Sequence, residues 1–302
     1  MKRKSLLTDV ESIVAEVSDG DTLALGGFLT SHQPMAIIRE IVRQNLSGLT
    51  IVAPPTSLET DLLIATNCAD TVLAPYVGAE GIASIAPWFR HRAESGDLTV
   101  KESDGGMIVA ALEAAERNLP FMPWRGGVGT AIPERNEDVK VFNDPLEGEP
   151  LIAVPAVEPD IALLHLARSD RYGNVQAVGD TFADGLIARA AKKTFVQVEE
   201  VVSTNEIRRA PEKTVASFGN VDGVVEAPWG AHPFSCTGHY LADTDQLEAY
   251  VAAATEAING DQDDWNAHLE RYVYEPENHA GYVDQLGTTR RKMLREYGGI
   301  DA

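Results

Sequence analysis

The chain has 302 residues, 46 acidic against 25 basic, for a formal charge of −21, and only two are cysteine. Two cysteines cannot build a disulfide framework, which points to a reducing compartment, and so acidic a chain is unsuited to nucleic acid, whose phosphates need Lys and Arg. With 44 % apolar residues, no apolar run of membrane-spanning length and no apolar segment behind the basic start Met1-Lys2-Arg3-Lys4, the expectation is a soluble, cytoplasmic globular protein.

In chain order, residues 22–25 form a short apolar run closed by Gly26-Gly27, a strand and a turn. Residues 34–46 place Ile37, Ile38, Ile41 and Val42 on one helical face, with Pro34 suited to the first turn and Ser47-Gly48 as the stop. A strand over 49–53, a helix over 58–65, a strand over 71–77, a helix over 85–93, a strand over 98–101 and a helix over 106–117 follow. Residues 126–150 are rich in turn formers and read as an ordered loop region. Strand signals return at 151–154, 161–165 and 194–198, with a helix over 182–191 before the last. Beyond Asp245 the pattern is helical, near 246–259, 265–273 and 288–296, so the reading is one domain over 1–302 with a helical C-terminal extension from about 245. Dispersed acidic charge of this kind keeps a surface hydrated in high salt, and a salt-rich cytoplasm is the matching expectation.

Strands alternating with helices predict βαβ units, a mostly parallel sheet and helices on both faces, an α/β fold. Ligands of such sheets bind beyond the carboxyl ends of the strands, which singles out Gly26-Gly27-Phe28. Glycine lets a ligand approach the backbone and Phe28 offers an apolar wall; a tight turn with Phe28 packed in the core is the alternative. No phosphate loop, nucleophile elbow or His-Glu-x-x-His pair occurs, and Gly127-Val128-Gly129 has Ile132 where a dinucleotide fingerprint needs its third glycine. His232, Cys236 and His239 have spacing that zinc could use, but no fourth ligand lies nearby, so no metal is assigned. Asp170, Gly173 and Asn174 read as a turn. Glu199 and Glu200, adjacent on a strand, must face opposite ways, one of them buried.

The segment Asp19-Gly20-Asp21-Thr22-Leu23-Ala24-Leu25-Gly26-Gly27-Phe28, with Pro34 six residues on, resembles the signature of family I coenzyme A transferase alpha subunits. Asn118-Leu119-Pro120-Phe121-Met122-Pro123, Val198-Glu199-Glu200-Val201-Val202, Asp170-Arg171-Tyr172-Gly173-Asn174, Ala227-Pro228-Trp229-Gly230-Ala231-His232-Pro233 and Leu286-Gly287-Thr288-Thr289-Arg290 extend it, in order, toward the glutaconate CoA-transferase branch. The chain departs from the pattern at His32, where many members have Gly, and at Gly105, where transferases tend to have Gln and a ring-opening hydrolase branch has Glu.

The resemblance implies an open three-layer sandwich, a beta subunit of similar fold, an alpha2beta2 assembly and an active site between subunits. It implies CoA transfer between small, possibly dicarboxylic, acids without metal or organic cofactor, coenzyme A being substrate. The nucleophilic Glu then belongs to the beta subunit. Glu94-Ser95-Gly96 imitates its Glu-x-Gly context, but falls at a helix end where Gly96 reads as a cap. This chain would supply binding and oxyanion support through Gly26, Gly27, Phe28, Ser31, His32 and Gly105. Arg125 is a further candidate for a substrate carboxylate, though Ser31, His32 and Arg125 each read singly as solvated loop residues. A thioester hydrolase subunit is the alternative within the family. A non-catalytic acyl-CoA or sugar-phosphate sensor is the alternative outside it, with the short N-terminus leaving no room for a DNA-binding domain.

Overall fold

The computed structural model describes residues 4–179 and 181–296. The basic Met1-Lys2-Arg3 start, Asp180 and the last six residues of the expected helical extension lie outside them. A nine-stranded sheet forms the centre. Its parallel body has the order β12-β10-β8-β1-β2-β3-β4, built from β1 (Thr22–Leu25), β2 (Leu49–Val52), β3 (Ala69–Leu73), β4 (Thr99–Val100), β8 (Ile161–Asp170), β10 (Lys193–Val202) and β12 (Gly223–Glu226). A second, antiparallel sheet has the order β5 (Phe121–Trp124), β7 (Pro150–Pro155), β6 (Lys140–Asn143).

Period-two alternation decides which residues fill which layer. On β1, Leu23 and Leu25 face one side with Ile51 of β2, Leu163 of β8 and Phe195 of β10, under helices Val10–Val14, Met35–Arg43, Leu58–Ala65 and Thr244–Ile258. Ala24, Val52, Ala162, Leu164 and Val196 face the other side, under helices Gly105–Glu116 and Asp184–Ala190. Helix 105–116 in turn packs Met107 and Ala111 against Ile152 and Val154 of the small sheet. The C-terminal part is helical over Thr244–Ile258, Asp263–Leu269 and His279–Glu296. No helix among the described residues is long and apolar enough to cross a membrane.

β8 is twice as long as β1, and this shapes the site. β10 runs along one edge of β8 from Ile161 to Asp170. The opposite edge is divided: β1 pairs with 161–163, and the short antiparallel β9 (Val175–Gln176), itself joined to β11 (Thr214–Ala216), pairs with 168–169. Residues 164–167 are left facing the loops that leave β1.

Several expectations need correction. The region 126–150 is ordered but is no mere loop, for it contains β6 and a helical turn, Ile132–Arg135. β8 continues five residues past His165 because its polar residues Ser169 and Asp170 remain in the sheet, Asp170 accepting the turn amides of Tyr172 and Asn174 at 2.9 and 3.1 Å. The strand expected over 71–77 ends at Leu73, two residues before Pro75.

Candidate active-site cleft at the switch point

From β1 the chain winds outward through β2, β3 and β4, and from β8 it winds the opposite way through β10 and β12. The reversal lies between β1 and β8, the place where parallel sheets open a crevice for ligands. The loop leaving β1 sits there under tight restraint. A Cβ on Gly26 would lie 2.5 Å from both Asp184 Oδ1 and Leu164 Cδ2, and Gly27 has φ +86° with a hypothetical Cβ 2.6 Å from the His32 carbonyl. Only glycine fits either position.

The amides of this loop are already used. Gly26 N–H donates to Leu163 O at 3.0 Å, Gly27 N–H to Asp184 Oδ1 at 3.0 Å, and Phe28 N–H to Ser31 O at 3.0 Å. None of the three is therefore open to an oxyanion in this conformation, which corrects the expectation of oxyanion support from Gly26, Gly27 and Phe28. Burial raises the Asp184 carboxyl above its ordinary range. Phe28 is not a core residue. It is 39 % exposed, with its ring centroid 5.0 Å from that of Phe182, itself 53 % exposed. The two rings make an apolar ledge at the end of the loop.

Ser31 and His32 follow, and His32 departs from the expected solvated residue. It is 7 % exposed and holds φ +60°. Its Nδ1 lies 2.7 Å from Ser31 Oγ, and Thr237 N–H donates to its Nε2 at 3.3 Å. Burial, with His165 close by, pushes the imidazole down to about 4, so the ring is neutral at neutral pH. Ser31 is half-buried. The loop is clamped on both sides by His32 N–H to Ser235 O (2.8 Å), Ser235 N–H to Thr30 O (3.0 Å) and Leu29 N–H to Pro55 O (3.1 Å).

Beneath this loop lies a buried polar network that sequence reasoning did not assemble. The β8–β10 register sets His165 beside Gln197, with Glu199 two residues on along the same face. Ile37 N–H donates to Gln197 Oε1 (3.2 Å), which leaves the Gln197 amide to donate to His165 Nδ1 (2.7 Å). His165 Nε2 then meets Glu199 Oε1 at 3.1 Å. Glu199 also accepts from Tyr240 OH (2.6 Å), Trp229 N–H (2.8 Å) and Gly230 N–H (3.2 Å). Burial pushes this carboxyl up, but the donors from His165, Tyr240 and Trp229 outweigh it and hold it below the ordinary range. Glu200 is exposed, as alternation along the strand requires.

His232, Cys236 and His239 do not converge. His232 turns to Tyr282 OH (2.7 Å) and Asp243 (3.1 Å), whereas Cys236 lies with His165 and Glu199, their ligand atoms within 4.8 Å of one another. Burial drives the Cys236 thiol up, and Glu199 already accepts four donors, so neither offers a free anionic ligand. Gly105 opens helix 105–116, which Asp104 caps by accepting Met107 N–H at 2.8 Å. The space beside it is open, a Cβ there meeting only Pro75 at 3.9 Å. Arg125 is exposed. Glu94 is paired with Arg90 at 2.9 Å on an exposed helix end that Gly96 caps at φ +85°.

The family profile of coenzyme A transferase matches residues 7–227. The chain belongs to this family. It is 31 % identical over 98 % of its length to the A chain of glutaconate CoA-transferase from Acidaminococcus fermentans, covering 96 % of that protein. The crystal structure of that transferase superposes with a TM-score of 0.90 over 96 % of each chain. The chain is 32 % identical over 88 % of its length to the cholesterol ring-cleaving hydrolase IpdA subunit of Rhodococcus jostii, covering 96 % of it. A longer Archaeoglobus fulgidus protein is 33 % identical over 93 % of this chain, which spans 62 % of that protein's length. The likeness to the glutaconate enzyme confirms the α/β architecture with its mostly parallel sheet.

Proposed function

We propose that this chain is the A-type subunit of a heteromeric CoA-transferase that moves CoA between small, dicarboxylic acids, working as alpha2beta2 in the cytoplasm. One observation carries the reading: the carboxylates around the switch-point cleft are spent. Glu199 holds four donors and Asp184 holds Gly27 N–H, so neither is poised as a nucleophile. The attacking carboxylate then comes from the partner chain, and this chain contributes the wall, with the Phe28–Phe182 ledge and Ser31 as its substrate-facing groups.

In this reading the partner's Glu carboxylate attacks the thioester carbonyl of the donor, giving an acyl-glutamyl anhydride and CoA thiolate. The thiolate attacks the glutamyl carbonyl, releasing the donor acid and leaving a glutamyl-CoA thioester. The acceptor carboxylate runs the two steps in reverse. The sequence balances without metal or organic cofactor. The likeness to the IpdA subunit keeps hydrolysis as the competing chemistry, and Gly105 weighs against it because it has no side chain to act as a base. Co-purified with its partner and given an acyl-CoA and a second acid, the enzyme is expected to form the second acid's thioester. Thioester loss at the same rate without any acceptor acid would overturn transfer.

A further inference from the structure

Ser31 beside His32 looks at first like a nucleophile beside its base, and the hydrogen-bond directions decide otherwise. A backbone N–H can only donate, so the Thr237 amide at 3.3 Å requires His32 Nε2 to be the acceptor. A neutral imidazole with a bare Nε2 has its proton on Nδ1. The 2.7 Å bond to Ser31 therefore runs from Nδ1–H to Oγ. The hydroxyl proton of Ser31 is left free, and no base is available to remove it.

We infer that Ser31 is a preset hydrogen-bond donor to an anionic substrate oxygen, either the acid's carboxylate or the oxyanion of the tetrahedral intermediate, and that His32 and the Thr237 amide are positioning groups that fix its direction. This deepens the proposed function and rests on it. The fold supports that role from below. Tyr240 OH and the amides of Trp229 and Gly230 tie the segment 229–240 to Glu199, and Ser235 and Thr237 of that segment hold the His32 backbone and ring. A charged acceptor suits the site because a hydroxyl donor on a clamped loop needs no reorganisation to meet it. His32 is also one of the few non-glycine residues with positive φ, a conformation that Asn tolerates better than most side chains.

Two readouts need no turnover. In 15N spectra of the histidine-labelled full chain, with His32 assigned by its loss in His32→Asn, the expected form is neutral with the proton on Nδ1; an Nε2–H ring overturns the inference. A serine-directed fluorophosphonate is expected to leave Ser31 unlabelled, and labelling there overturns it as well. In the assembled enzyme, Ser31→Ala, checked for an unchanged melting curve, is expected to lower kcat/KM about 10- to 100-fold, the range for a hydrogen bond to a charged group. A rise in KM for the acid at constant kcat assigns the donor to the carboxylate, and a fall in kcat at constant KM assigns it to the oxyanion. No loss in Ser31→Ala overturns the donor role. His32→Asn, which keeps an N–H near the Nδ1 position and tolerates the backbone, is expected to retain far more activity than His32→Ala. If the enzyme proves not to be a transferase while the tautomer and labelling results hold, the functional proposal fails and the hydroxyl's polarity stands.

Discussion

Two buried histidines in this molecule each meet a carboxylate at 3.1 Å, His165 with Glu199 and His232 with Asp243. Around Glu199 the other partners are neutral: two backbone amides and the Tyr240 hydroxyl. Around Asp243 stands a full cation, Arg290, whose guanidinium bonds both carboxylate oxygens and also Asp245. The first network shapes loops under the cleft. The second clamps helix 279–296 to the start of helix 244–258, which Asp243 also caps by accepting Gln246 N–H at 3.0 Å. Similar pairs thus serve different ends, and what surrounds the carboxylate sets which: dipoles from several loops fix a shape, and a cation on a distant helix fixes a joint.

The difference can be broken at either end. Glu199→Ala strands His165, Tyr240 and two buried amides at once, and is expected to cost about 3–5 kcal/mol in chemical denaturation, the range for one broken buried partner set. A loss under about 1 kcal/mol would show that the network is not holding these loops. A third carboxyl sharpens the contrast. Glu59 is fully buried with only Thr56, Thr60 and the Ser57 amide for company, and burial raises it to about 7. Its folded value lies above the unfolded one, so the native state holds the extra proton and stability falls as pH rises from about 4 through 7. Glu59→Gln, a mimic of the protonated form, is expected to remove a pH dependence on the order of 3 kcal/mol between pH 5 and 8, read from denaturant midpoints. An unchanged slope would place the titration elsewhere.

Asp243 behaves in the opposite sense. Burial pushes it up, but Arg290 and His232 more than offset this and hold it well below the ordinary carboxylate range. Its contribution is complete above about pH 4 and is lost as pH falls through the folded value. Asp243→Asn is expected to cost about 2 kcal/mol at neutral pH and to flatten the acid limb of thermal melts. The smallest stability effect belongs to the ledge. Phe28→Ala removes an exposed aromatic pair and is expected to cost about 1 kcal/mol or less, while weakening acyl-CoA binding by the assembled enzyme. A large loss of stability would return Phe28 to the core.

Much of the scaffold was legible because its signals are local. β1 is an apolar run stopped by two glycines, and helix 58–65 is a Leu-rich run behind Pro54-Pro55. β5 and β6 were not, because Pro123 and the exposed Lys140 and Val141 hide edge strands that bury little. The split between Glu199 and Glu200 followed from strand alternation alone. The link from His165 to Glu199 could not be read, because 34 residues separate them and only the β8–β10 register sets them side by side. The shape of the Gly26-Gly27 turn was foreseeable, whereas the use of its amides depended on Asp184, a residue 157 positions further along than Gly27.

The account stands on the attacking carboxylate belonging to another chain. Intact mass measurement of both subunits, once the assembled enzyme has met an acyl-CoA and before acceptor is added, tests this most directly. The predicted result is a CoA adduct on the partner chain and an unmodified mass for this one. An acyl or CoA adduct on this chain, at Glu94, Ser31 or any other residue, would contradict it.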